Sequence, residues 1–243
     1  MINKAFEVLK KKYRKLYSQH VIHESVRFGM LLAIVGGFLD AYTFVGRGGV
    51  FANAQTGNIV FLGIYASKGE WRQALVHIPP ILACMLGVIV VESIKKLSSR
   101  LFIQNWGQAV LILEIIVLFI IGFIPNTIPN IVVTVAVSFV ASIQVSSFRK
   151  LVDSPYTTTM STGNLRSASQ AAYIAITQRN KESAIKAIRY FTIIFSFSLG
   201  AFLGGLLTLI IGVKSIWGAT IVLVFALILF SIGERNHNEY ESA

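Results

Sequence analysis

Six stretches of this chain run for about twenty residues with hardly a charged side chain: roughly 27–46, 77–96, 107–124, 130–149, 188–212 and 215–233. No formal charge falls between Arg72 and Glu92, between Tyr190 and Val213, or from Ser215 to Gly233, and from Leu101 to Phe148 the only one is Glu114. A helix that crosses a bilayer needs about 20 mostly apolar residues, so the pattern predicts six transmembrane helices. The prolines fall at their edges. Pro79 and Pro80 open the second stretch, where a missing N–H costs nothing, and Pro125 and Pro129 bracket the turn Asn126-Thr127-Ile128 between the third and fourth.

Two further segments are mixed in character. Residues 50–67 (VFANAQTGNIVFLGIYAS) are uncharged but polar in their first half, and residues 156–178 (YTTTMSTGNLRSASQAAYIAITQ) carry Arg166 and many hydroxyls. Neither can face lipid over its whole length, because unpaired polar and ionic groups are costly there. They are expected to be protein-buried spans, re-entrant half-helices or the lining of a wet cavity. The positive-inside rule discriminates between the topologies. With both segments re-entrant, six crossings leave Arg47, Lys68, Arg72 and Lys214 outside, Arg166 unassigned and every other Lys and Arg inside. With both crossing fully, eight spans move Lys95, Lys96, Arg100, Arg149 and Lys150 outside. Six crossings with both termini cytoplasmic is the expectation, and eight spans, four per repeat, is the alternative.

The same two segments share a tripeptide, Thr56-Gly57-Asn58 and Thr162-Gly163-Asn164. Each follows an apolar helix ending in a polar residue and an aromatic (Asp40 with Tyr42, Gln144 with Phe148), and each leads into a charged loop and two more apolar helices. The shared order predicts a duplicated, all-α helical membrane bundle: residues 26–125 and 126–233 as repeats of three full spans plus one broken or re-entrant helix. A basic amphipathic segment, 1–25, precedes them and a polar tail, 234–243, follows. Three crossings is an odd number, so the second repeat is inverted, a recurring design of secondary transporters.

GGFLDAYTFV, VFANAQTGNIVFLG and TTTMSTGNLR together resemble the YoaK-like family of bacterial membrane proteins, a domain of unknown function, over roughly residues 26–233. The resemblance implies a bacterial inner-membrane protein without an established substrate. Many relatives carry a Gln-Asn pair at the end of the fifth element, whereas Gln144 is followed here by Val145.

Composition agrees with a membrane location. Hydrophobic residues make up 54% of the chain and charged ones 14%, with a mean hydropathy of +0.67; a soluble domain carries about 25% charged residues. The net charge of +11 raises the question of nucleic acid, but the bias of Lys and Arg towards one side accounts for it, so no nucleic-acid partner is expected. In residues 1–25, Ile2, Phe6, Leu9, Tyr13, Leu16 and Tyr17 recur at helical spacing against Lys4, Lys10, Lys11, Lys12, Arg14 and Lys15. That pattern suits a helix lying on an anionic leaflet and not a cleaved secretory signal. Cys84 is alone in an apolar stretch and is expected to act as a small packing residue.

The chemistry to be expected lies in the polar residues of the membrane segments. Glycine allows close backbone approach, and Thr and Asn cap helix starts. Half-helices starting at Thr56-Gly57-Asn58 and Thr162-Gly163-Asn164 would aim free N–H groups and positive dipole ends into the bundle. Asn53, Gln55, Asn58 and Asn164 would then hold a small polar or anionic solute, with Gln144 beside them. Alternatively, these residues satisfy the broken backbone. Asp40, a carboxylate inside a span, is by default a functional residue, here a carrier of protons or cations; the alternative is an interfacial acid paired with Arg47. Arg166 is a candidate partner for Asp40 or for an anionic solute. Glu92, beside Lys95 and Lys96, and Glu114 read as interfacial or helix-packing acids. Gly200, Gly204 and Gly205 make a GxxxG-type face for packing within the chain or in a homo-oligomer. No phosphate loop, HExxH, CxxC or Ser/His/Asp set is present, so neither enzyme, cofactor nor metal site is expected. The leading expectation is a secondary transporter or permease, with proton coupling as an option, and with the lipid bilayer and an unnamed solute as partners; the alternative is a membrane-embedded scaffold.

Overall fold

The computed structural model describes residues 25–101, 106–151, 154–159 and 161–241; the amphipathic segment 1–25 lies, but for Ser25, outside the described residues. The chain is all-α. It runs α1 (Val26–Gly46), α2 (Gln55–Ser67), a short α3 (Trp71–Leu75), α4 (Ile78–Leu101), α5 (Trp106–Ile121), α6 (Asn130–Ser147), α7 (Ser161–Thr177), α8 (Lys181–Ile211) and α9 (Ile216–Glu241). The only described strands, β1 (Lys150–Leu151) and β2 (Ser154–Pro155), form a two-residue antiparallel pair.

Val26–Gly46, Trp71–Lys96, Asn130–Ser147 and the 55-residue stretch Lys181–Arg235 are long and apolar enough to cross a membrane. A 3₁₀ turn at Gly212–Ser215 breaks the last into α8 and α9. Gly212 sits there at φ 65°, a conformation that favours glycine, and Thr208 Oγ1 lies 2.8 Å from Ser215 Oγ across the turn. Apolar side chains also cover the outside: Phe195 is 70% and Leu209 75% exposed on α8, and Phe225 60% on α9. A water-soluble protein does not present such a continuous apolar exterior. The chain is a membrane protein.

Two boundaries differ from expectation. α8 starts at Lys181, seven residues before the apolar stretch, because Asn180 caps it by accepting from Ser183 N at 3.0 Å and Glu182 sits in its first turn. The tail expected from residue 234 continues α9 as helix to Glu241.

α1 is the central helix. Phe28, Leu32, Ala33, Val35, Phe38, Leu39 and Tyr42 are all buried, as befits a helix that is apolar on every face. It runs parallel to α8, with Gly29 beside Ile193, Gly37 beside Phe197 and Ala201, and Gly46 beside Thr208. Glycines make that approach possible. A Cβ on Gly37 would strike the Phe197 carbonyl, and one on Gly200 or Gly204 the carbonyls of Ile34 or Phe38. The GxxxG-type face is thus used within the chain.

α4 and α6 form a second parallel pair, with Gly87 against Phe139 and Ser142 and Lys95 Nζ 3.1 Å from Ser146 O. α9 packs antiparallel on α1, α5 antiparallel on α6, and α5 antiparallel on α9. α1 and α6 also run oppositely. Phe28 meets Phe148 edge-on at 5.0 Å at one end, while Arg47 reaches Asn126 and Gly48 lies beside Asn130 at the other.

Candidate functional site

The chain reverses sharply before α2 and again before α7. After α1 ends, residues 50–54 run back along it. Phe51 stacks on Phe44 with ring centroids 4.7 Å apart, and Asn53 Nδ2 donates to Gly36 O at 3.2 Å. α2 then returns towards the Gly46 end, where Phe61 lies 6.1 Å from Phe44. The second segment enters from the opposite end of α1. Tyr156 lies beside Gly29, Thr159 lies beside Gly36, and α7 packs back along α8 towards Lys181. Both reversals therefore touch Gly36, halfway along α1.

Each reversal is fastened by the asparagine of its tripeptide. Asn58 Oδ1 accepts from Phe51 N at 3.0 Å and Asn58 Nδ2 donates to Phe51 O at 2.8 Å. Asn164 makes the same two bonds to Thr157, at 3.4 and 2.6 Å. Both asparagines are buried and both reach back over an identical interval. The logic is backbone satisfaction: a reversal buried in a bundle exposes a peptide N–H and C=O that water cannot serve, and a primary amide matches both at once.

The helix starts themselves are a correction. α2 begins at Gln55 with Ala54 as N-cap and no side-chain cap of its own, so Thr56, Gly57 and Asn58 lie inside the first turn instead of capping it. The acid at this helix start is Asp40, whose Oδ1 accepts from Asn53 N at 2.6 Å and Ala54 N at 3.3 Å. A carboxylate facing free N–H groups at a helix N-terminus is stabilised there. Asp40 is 4% exposed, and its Oδ2 has no partner. Arg47 does not pair with it. That side chain, 1% exposed, bonds Tyr42 OH at 3.0 Å, Ile124 O at 3.0 Å and Asn126 Oδ1 at 3.4 Å. Arg166 stands on the exposed face of α7 with Thr162 and Gly163 and is not an ion-pair partner of Asp40.

Gln55 and Gly57 complete the first reversal. Gln55 Nε2 donates to Ala52 O at 2.8 Å, and its Oε1 accepts from Asn58 Nδ2 at 2.8 Å. Gly57 leaves room for the Phe51 ring, whose Cδ2 lies 2.8 Å from where a Cβ would be. Gly163 meets nothing within 4 Å. Gln144, counterpart of Asp40 in the shared element order, turns to α5: its Nε2 donates to Glu114 Oε2 at 2.9 Å. Glu114 is 1% exposed and packs between helices, one of the two roles expected of it. Glu92 is exposed and pairs with Lys95 at 2.9 Å and Arg149 at 4.0 Å.

Residues 28–229 match the family whose description reads "protein of unknown function (DUF1275)". The chain belongs to this family. No curated protein and no solved structure matches it. The DUF1275 match spans both reversals and both asparagine clamps.

Sequence reasoning missed His77 in this DUF1275 chain. The ring is buried, in contact with both Phe61 (centroids 5.5 Å apart) and Tyr65 (5.8 Å), with Nδ1 3.2 Å from Asn58 Oδ1. An amide oxygen only accepts, so Nδ1 carries the proton. His77 also helps line a cavity of about 100 Å³ with Phe44, Gly48, Phe61, Tyr65 and Gln73. The available signal was its position just before Pro79-Pro80, where a polar residue opens an apolar helix.

Proposed function

We propose that the chain is a small secondary transporter or permease of the bacterial inner membrane, built as two inverted repeats of three crossings and one re-entrant Thr-Gly-Asn segment each. The observation that carries this reading is that the two reversals come from opposite ends of α1 and both touch Gly36. The pairing of helices supports the duplication. Exchanging α1 with α6, α2 with α7, α4 with α8 and α5 with α9 turns the α1–α8 pair into α6–α4, α1–α9 into α6–α5, and α7–α8 into α2–α4, while α5–α9 maps onto itself. That α5 runs opposite to α9 and α1 opposite to α6 favours inversion over a parallel duplication. Six crossings then put both termini in the cytoplasm, with the basic N-terminal segment on the anionic leaflet.

The solute of this reading is small and polar or anionic. It binds where the two reversals meet, with Arg166 and Thr162 on the accessible face of α7 and Thr56 on that of α2 supplying charge and hydroxyls. Asp40 carries the coupled proton: it alternates between a charged form that caps α2 and a neutral form that does so more weakly. A second reading, a membrane scaffold without transport, is favoured by one observation, that Asn58 and Asn164 spend their amides on their own backbones.

Proteoliposome uptake separates the two, with candidate solutes chosen by thermal-shift screening of metabolite pools, since a bound ligand stabilises the folded state. Asp40→Asn keeps the acceptor for Asn53 N and Ala54 N but cannot titrate. It is expected to fold with stability within about 1 kcal/mol of the parent and to lose proton-linked uptake. Normal uptake by Asp40→Asn across a range of pH would refute proton coupling, and absence of any solute flux in the parent protein would favour the scaffold.

A further inference from the structure

Glu114 is the buried acid that the transport reading leaves unused. It lies midway along α5 and accepts one hydrogen bond, from Gln144 Nε2, while its Oε1 has no partner. The elements packed against α5 are α6 and α9. α6 carries no Lys, Arg, His, Asp or Glu, and α9 carries none from Ile216 to Gly233. An ionised carboxylate in such surroundings has a single amide donor and no cation, and burial without compensation strongly disfavours that form. The neutral, protonated acid is the form this environment accommodates.

Its depth relates it to Asp40. α1 and α6 run oppositely, with Phe28 level with Phe148 and Gly48 level with Asn130. Gln144, and Glu114 with it, therefore lies level with about Leu32, one helical turn to one side of Gly36. Asp40 lies one turn to the other side, so the two acids are separated by about 12 Å along the axis at 1.5 Å per residue. Two buried hydroxyls without a partner fall between these levels. Ser138 Oγ is on α6, level with about Phe38, and Thr158 Oγ1 is beside the Thr159 that touches Gly36. Unpartnered buried polar atoms are rare in folded proteins. Here two are the free oxygens of acids and two are hydroxyls that can both donate and accept, in the same central layer of one bundle.

We propose that Glu114, held by Gln144, is a second proton-binding site in the same central layer as Asp40. This site does not rest on the proton-coupled reading of Asp40. It is tested by infrared spectroscopy of the purified full-length chain in nanodiscs, following the carbonyl stretch of protonated carboxyl groups in H₂O and after transfer to D₂O.

The expected result is a band at neutral pH that is lost in Glu114→Gln, kept in Asp40→Asn, and shifted by deuterium exchange in the parent protein. Should Glu114→Gln fail to fold, Glu114→Asp should move the band instead of removing it. No Glu114-dependent band would mean an ionised acid and overturn the site. A band that never exchanges would mark a sealed packing acid and overturn it too. Solute uptake is not read in this experiment: absent uptake with the expected spectrum sinks the transport reading alone, and normal uptake without the band sinks the proton site alone.

Discussion

The two Thr-Gly-Asn reversals are alike in their mechanics and unlike in their surroundings. Both clamp a peptide unit with one buried asparagine over the same interval. Around the first, the clamp is reinforced by Gln55 and His77, capped by the Asp40 carboxylate, and walled by the stacked rings of Phe44, Phe51, Phe61 and Tyr65. Around the second, the corresponding residues are small or hydroxylic, Thr158 Oγ1 and Tyr156 OH are buried without a partner, and the helix beyond shows Thr162 and Arg166 on an exposed face. The difference teaches that the backbone geometry of a reversal is held by one amide, whereas its rigidity depends on what surrounds it. Well-satisfied polar networks stiffen a site, and poorly satisfied regions open most readily. The first reversal is the fixed element and the second the adaptable one.

The strongest test of that contrast is Asn58→Ala against Asn164→Ala. Removing Asn58 strands the Phe51 peptide and leaves Gln55 and His77 without their shared partner, and is expected to cost about 3 kcal/mol; removing Asn164 is expected to cost about 1–2 kcal/mol. Thermal melts in detergent would read this as a clearly larger drop in Tm for the first variant. A reversed order would mean that the second reversal is the rigid one.

A smaller contrast is expected in the two parallel helix seams. Gly37→Ala drives a methyl into the Phe197 carbonyl, which cannot yield without separating α1 from α8, and overpacking of this kind costs about 2–3 kcal/mol. At Gly87 the nearest obstacle is the Ser142 hydroxyl, which can rotate, and the fixed Phe139 carbonyl stands further off at 2.8 Å than the Phe197 carbonyl does from Gly37, so Gly87→Ala should cost less, about 1–2 kcal/mol. Equal losses in the same melts would show the two seams to be mechanically equivalent. The smallest effect is expected from His77→Phe, which keeps the ring stack and loses one hydrogen bond to Asn58, at about 1 kcal/mol. Amide hydrogen exchange should rise at Phe51 and not at Thr157; equal rises at both would break the contrast.

The long apolar helices were legible because a span demands an uninterrupted run of apolar side chains, and the turn at Pro125–Pro129 because proline marks helix edges. The two special segments were legible through the repeated tripeptide, and its use as one of two alternatives. Of the readings of Asn58 and Asn164, the hydrogen bonds bear out the one in which they satisfy the broken backbone; the peptide each amide reaches back to was not legible, since nothing local indicates it. The role of Asp40 as a cap on another helix was hidden for the same reason: its donors, Asn53 N and Ala54 N, are backbone groups that every sequence possesses. Burial also depended on tertiary packing in a way spacing cannot show. Glu114, expected as an interfacial or helix-packing acid, is enclosed against Gln144 on the neighbouring helix, which fits the second of those roles. Arg47, which the alternative reading of Asp40 made its partner, turns instead to the α5–α6 turn.

That last contact has a mechanical consequence. The guanidinium of Arg47 ties the end of α1 to Ile124 and Asn126, in the stretch of chain that joins residues 26–125 to residues 126–233. The opposite end of the bundle is closed by the rings of Phe28, Phe148 and Phe230, at centroid separations of 5.0–6.2 Å, and by single hydrogen bonds from Lys95 to Ser146 O, from Trp106 to Ser147 and from Gln108 to Ser231. A forked, buried guanidinium holds several acceptors in one fixed geometry, whereas each bond at the ring end is carried by a different side chain. Arg47 is thus a rivet: one side chain fastens the end of α1 to the α5–α6 turn, a task that is shared among several residues at the other end.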